Sequence, residues 1–128
     1  MKQRSFGDLG FESKRSKRTR KQQFLDEMEQ AVPWERIEGC IKPHYHHART
    51  VRGRPQMPMT SMIRIHFMQQ WFGYSDPAME EALYDIPVLR AFAGLDAFED
   101  HLPDETTILR FRHLLEKHYL ADAIFDEV

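Results

Sequence analysis

The stretch from Thr60 to Gly73 constrains the fold more than any other part of the chain. Behind Thr60, the residues Met62, Ile63, Ile65, His66, Phe67, Met68, Trp71 and Phe72 surround a helical wheel almost completely. A helix that is apolar on all sides belongs at the centre of a core, covered by other elements. Thr60 is a good N-cap for it, and Gly73 is a natural stop. Its cover must be helical too, because no alternating apolar run long enough for a strand occurs and no internal repeat is visible. The sequence therefore predicts an all-α fold, a compact helical bundle.

The remaining helices follow from spacing and punctuation. From Thr19 onward, Phe24, Leu25, Met28 and Val32 recur every three or four residues, with Asp26, Glu27 and Glu29 outward, until Pro33 ends the run. A short helix from Pro33 puts Trp34, Ile37 and Ile41 on one face and closes at Pro43. After Gly73, Ser75 or Asp76 caps a helix over 76–84 that turns Met79, Ala82 and Leu83 inward and leaves Glu80 and Glu81 in water. Asp85-Ile86-Pro87 breaks into a short helix over 87–93 carrying Val88, Leu89 and Phe92, which ends at Gly94; residues 95–102 link it onward. Pro103-Asp104-Glu105-Thr106 opens a long helix over 104–117 whose Ile108, Phe111, Leu115 and, less centrally, Leu114 form the buried stripe. The last three helices have the length, caps and tight breaks of a helix-turn-helix-like group or a three-helix bundle. Ile124, Phe125 and Val128 keep a helical period to the last residue, so the chain is expected to stop inside an element, as a truncated product or an excised domain.

Composition enters through charge. The net charge of −2 argues against a nucleic-acid partner until it is divided. Residues 1–64 hold 14 basic and 7 acidic side chains, and residues 65–128 hold 4 basic and 13 acidic. Such asymmetry is a sign of a nucleic-acid or membrane contact, or of a tail. The segment 1–18 reads as a basic, mostly disordered arm, and 19–128 as the helical domain. Apolar runs fall far short of the roughly 20 residues a membrane helix needs, so no bilayer contact is expected. Cys40 is the single cysteine, and the charged N-terminus has no apolar segment behind it, so the expected location is the cytoplasm.

Three sets of side chains are candidates for contact with DNA. Lys14, Arg15, Lys17, Arg18, Arg20 and Lys21 in the arm would meet phosphate. The loop from His44 to Pro58 carries Arg49, Arg52, Gly53 and Arg54; in Arg52-Gly53-Arg54-Pro55 two guanidinium groups flank a residue without a side chain. That resembles the core of an AT-hook, with Val51 where the motif has proline, and it suits a narrow minor groove or else a solvated turn. On the long helix, Thr106, Thr107, Arg110, His113 and Lys117 form the polar face that would read a major groove, the N-terminal residues usually meeting base edges. Any amphipathic helix also has a polar face, and the acidic surroundings count against the reading.

Other chemistry is not expected. Cys40 with His44, His46 and His47 lacks the second pair of ligands a structural zinc site needs, so no metal is expected. His66, on the core helix, reads as a satisfied core histidine. Asp76, Glu80, Glu81, Asp104 and Glu105 stand where caps and first turns place carboxylates. There is no P-loop, nucleotide fingerprint or nucleophile elbow, so no cofactor and no catalytic residue is expected.

A broader pattern carries a family resemblance. Phe24-Leu25-Asp26-Glu27-Met28, Val32-Pro33-Trp34, Ile41-Lys42-Pro43-His44-Tyr45, Gly53-Arg54-Pro55, Met62-Ile63-Arg64-Ile65-His66, Gln69-Gln70-Trp71, the run from Ser75 to Asp85, Phe92-Ala93-Gly94-Leu95 and the run from Pro103 to Glu116 cover nearly the whole chain. Together they resemble the N-terminal domain of bacterial insertion-sequence transposases, in the group typified by the insertion-sequence family numbered five. The resemblance implies a helical module that binds the element's terminal inverted repeats and helps assemble transposase subunits on DNA. It places the chemistry in a separate ribonuclease-H-like domain, where an Asp, Asp, Glu triad holds two Mg²⁺ ions. The first of those aspartates lies on a strand after the helical module, so no residue up to Val128 inherits a catalytic role. Expected partners are DNA bearing inverted repeats, a second copy, and full-length transposase. The competing expectation is a dimerisation module that modulates the full-length enzyme without touching DNA, and a third is a remnant with no function.

Overall fold

The computed structural model describes residues 18–45, 56–95 and 101–118. Among these residues there are six helices and no strand, which bears out the all-α expectation. They are α1 (Arg20–Ala31), α2 (Trp34–Tyr45), α3 (Met59–Phe72), α4 (Asp76–Asp85), α5 (Pro87–Phe92) and α6 (Glu105–Lys117). The expected period over Ala121 to Val128 lies outside the described residues, as does the middle of the link between α5 and α6. The chain divides into two compact units, Met1–Val32 and Pro33–Val128.

In the first unit Thr19 caps α1, its hydroxyl accepting from the Gln22 N–H at 3.1 Å. Val32 closes the helix with its N–H on the Met28 carbonyl at 3.0 Å, and Leu25 and Val32 are its buried positions.

The second unit is built around α3, as its all-apolar wheel requires. Met62, Ile63, Ile65 and Met68 are fully enclosed, and α3 packs against α2, α4 and α6. Ile37 and Ile41 of α2, Met79 and Leu83 of α4, Leu89 of α5, Leu95, and Ile108 and Leu115 of α6 complete the core. Each such side chain contributes about 1.5–3 kcal/mol by leaving water. Polar residues punctuate the helices where expected. Ser75 accepts from the Ala78 N–H at 3.2 Å, Asp104 accepts from the Thr107 N–H at 2.8 Å, and Gly73 ends α3 at φ +72°, in the left-handed region that a Cβ disfavours.

Two boundary expectations are corrected. Thr60 does not cap α3; the helix starts at Met59, after Pro58, which makes no side-chain cap, and the Met62 N–H reaches the Pro58 carbonyl at 3.1 Å. Proline's restricted φ of −58° followed by an extended ψ sets up the turn one residue early and leaves Thr60 inside it. Nor does Pro43 close α2, which runs on to Tyr45. Proline this near a helix end forfeits little more than its own N–H, and Tyr45 is held from outside. Its hydroxyl donates to the Met57 carbonyl, Gln56 Nε2 donates to the Tyr45 carbonyl at 3.1 Å, and its ring meets Phe111 edge-on at 5.9 Å.

An aromatic cluster invisible to spacing joins α2, α3 and α5. Trp34, Phe67, Trp71 and Phe92 meet with centroids 5.4–6.0 Å apart. The Arg64 guanidinium lies over Trp34 at 4.2 Å and Phe92 at 4.8 Å, and donates to the Phe92 carbonyl at 3.3 Å. A planar cation against two rings shields their faces while its charge stays solvated at the edge.

Candidate nucleic-acid interface

Helix α6 decides which polar side chains this unit can offer a partner. Ile108, Phe111 and Leu115 at three- and four-residue spacing are buried, with exposures of 2%, 5% and 1%, so the opposite face must look outward. Thr106, Arg110, His113 and Lys117 occupy that face, and all four are exposed. Thr107 is set apart from them: it is half-buried, and its N–H is spent on the Asp104 cap.

Polar contacts fix how this face is presented. Arg112 Nη1 reaches Asp76 Oδ1 at 2.5 Å, and Gln69 Nε2 donates to the same oxygen at 2.9 Å, so one carboxylate ties α3, α4 and α6. The guanidinium beside Asp76 holds its carboxyl below the usual range, and the Arg112 charge is strengthened in return. Glu80 was expected in water. Instead its Oε1 accepts from the Glu105 N–H at 2.9 Å, because the start of α6 leaves that donor without a helical partner. Arg90 donates to the Leu83 and Tyr84 carbonyls at 2.8 and 3.2 Å and closes the end of α4. Sequence reading missed Gln69, Arg112, Glu80, Arg64 and Arg90 as partners. Only the weak signal of a carboxylate in a first turn pointed toward any of these pairings.

The other sequence candidates divide by where they lie. Lys14, Arg15, Lys17, Arg49, Arg52, Gly53 and Arg54 fall outside the described residues. Arg18 and Arg20 are exposed and Lys21 is half-buried, with Arg18 in an ion pair with Asp26 of α1. The two residues flanking 46–55, Tyr45 and Gln56, hydrogen-bond to each other as described, and Tyr45 rests on Phe111 of α6. Next to it, His44 stacks on His118 at 3.9 Å between centroids. The chain therefore enters and leaves the arginine-bearing stretch close to α6.

His66 departs from the expectation of a satisfied core histidine. Its Nδ1 is enclosed and has no hydrogen-bond partner, because the ring sits among Phe67 and Phe111 at 6.4 and 6.5 Å. Burial, helped by the Arg112 charge, pushes its pKa down to about 4, so the ring is neutral at pH 7. Among the described residues no group of three or more His, Cys, Asp or Glu could hold a metal ion. Among them, too, no helix is long and apolar enough to cross a membrane.

A protein-family model described as Transposase domain (DUF772) matches residues 13–114, a span that ends within α6. No solved structure matches the chain.

Proposed function

The chain belongs to the transposase-domain family, and from that premise we propose that it is the DNA-binding and assembly module of an insertion-sequence transposase, acting on terminal inverted repeats. The single observation that carries this reading is the exposed stripe of Thr106, Arg110, His113 and Lys117 on a helix that buries Ile108, Phe111 and Leu115 behind it and is tied to α4 through Arg112 and the Glu105 N–H. In this reading α4, α5 and α6 act as a helix-turn-helix-like group that lays α6 in the major groove. Arg18, Arg20 and Lys21, with the basic residues of 1–17 and 46–55, neutralise phosphates. Phosphate contacts supply affinity and register, and base contacts supply choice of sequence. The resemblance to the insertion-sequence family numbered five, with its Asp, Asp, Glu chemistry in another domain, supports the assignment. Conserving a catalytic role for the carboxylates here is unnecessary, since Asp76, Glu80 and Asp104 already serve arginine or helix ends.

The test is a gel shift with the inverted repeats that flank the coding sequence, beside scrambled duplexes and a sizing measurement. Preferential binding to the repeats supports the reading. Arg110→Ala should then lower discrimination by about 1–3 kcal/mol where it reads a base. A dimer that ignores DNA would select the competing role in self-association.

A further inference from the structure

The exposed face of α6 is electrically divided along its length. Three carboxylates gather at its first turn: Asp104 caps the Thr107 N–H, Glu80 caps the Glu105 N–H, and Glu105 itself is exposed. A helix N-terminus ordinarily attracts phosphate because its free N–H groups and dipole point at the anion. Here two of those donors are already given to carboxylates, and the added negative charge exceeds the roughly half charge of the dipole. The cations lie further along, at Arg110 and Lys117, with His113 between them, all three exposed. The carboxylate in that half, Glu116, is 3.9 Å from Arg112, whose charge is already engaged by Asp76.

We infer that α6 meets DNA through its middle and C-terminal turns, with Arg110, His113 and Lys117 on the duplex and the first turn, including Thr106, held off the phosphates by Glu80, Asp104 and Glu105. This rests on the DNA-binding reading above and reverses the usual docking of a recognition helix, whose N-terminal residues contact base edges. The C-terminal dipole is unfavourable to phosphate, and the cations Arg110 and Lys117 are what offset it.

The experiment uses the full chain and a duplex carrying the flanking inverted repeat. A photo-crosslinking side chain is placed at one end of the face or the other, as Lys117→p-benzoylphenylalanine or Thr106→p-benzoylphenylalanine, with folding checked by circular dichroism. The expected result is a crosslink to DNA from position 117 that clearly exceeds any from position 106. In parallel, Lys117→Ala should flatten the slope of log K against log salt by about 0.9, the value of one lost phosphate contact. Crosslinking from 106 as strong as from 117, on a wild-type chain that binds the duplex, overturns the docking direction and leaves the DNA reading standing. An unchanged salt slope in Lys117→Ala overturns it as well. A wild-type chain that binds no duplex removes the DNA reading and this docking with it.

Discussion

Arg112 of α6 and Asp76 of α4 are joined at 2.5 Å although 36 residues separate them, and Asp76 is much the more enclosed partner, with 13% of its side chain exposed against 34%. The pair therefore acts from the inner flank of α6, away from the stripe proposed to face DNA. Asp76→Ala leaves Arg112 and Gln69 without their acceptor. The expected loss is about 1.5–3 kcal/mol, the usual range for a hydrogen bond to a charged group, read as a lower urea midpoint at unchanged slope.

Acid should expose the same pair. Arg112 lowers the Asp76 pKa from its ordinary 3.8, so the folded state binds that proton less readily than the unfolded chain. Its stabilisation is present above the unfolded value and is lost as pH falls through the folded one. Wild-type stability should drop below about pH 4 more steeply than that of Asp76→Asn, measured by urea titrations at successive pH values.

His66 has a separate window. Its pKa is pushed down from 6.5 to about 4, so its contribution is complete above pH 6.5 and is lost as the pH falls toward 4, where the unfolded chain takes the proton first. The full swing is on the order of 3 kcal/mol, from about 1.4 kcal/mol per unit. Glu116 acts against the shift and Arg112 with it. His66→Leu should remove the slope between these values, and because it also removes an unpartnered ring nitrogen it should fold at least as stably at pH 5. A His66→Leu chain with the wild-type slope over this window would show that another group titrates there.

Glycine positions should respond with opposite signs. Gly73 sits at φ +72° with open space around a would-be Cβ, so Gly73→Ala is penalised by conformation alone, by roughly 1 kcal/mol. Gly39 lies inside α2, also with open space, so Gly39→Ala should stabilise by about 0.5–1 kcal/mol. Thermal unfolding of the two variants should bracket the wild type.

The contrast between these sites also shows what could be read from the residues. The core status of α3 follows from its wheel, and the buried stripe of α6 from Ile108, Phe111 and Leu115, because burial is a periodic signal carried by neighbouring positions. The caps at Thr19, Ser75 and Asp104 are equally local. Pro43 and Thr60 misled because the deciding partners, Met57 and Phe111 for one and Pro58 for the other, act through geometry that no residue preference encodes. Asp76 with Arg112, Glu80 with the Glu105 N–H, and Arg64 between Trp34 and Phe92 are pairings between distant segments. Any of the chain's carboxylates or arginines could have filled these places until the helices were packed. The exposed stripe at 106, 110, 113 and 117 was legible as a face, while its division into an acidic and a basic end was not, since Glu80 arrives from another helix.

Tyr45 offers a test that links packing to the proposed DNA contact. Its hydroxyl donates to the Met57 carbonyl across the stretch 46–55, and burial raises its pKa to about 12, so it remains a donor throughout the physiological range. Tyr45→Phe keeps the edge-on ring contact with Phe111 and deletes only that donor. The orphaned carbonyl should cost about 1–3 kcal/mol where water cannot reach it and less where it can. Tyr45 and Gln56 bound the stretch 46–55, whose arginines are proposed to meet phosphate, so a loss of packing at these flanks is expected to reach that contact. Affinity for the inverted repeat should therefore fall while the salt slope stays at its wild-type value, since no cation has been removed. Binding isotherms at two salt concentrations read both quantities. A reduced slope would mean that a phosphate contact itself had been lost, and unchanged affinity would detach the Tyr45 hydrogen bond from DNA binding altogether.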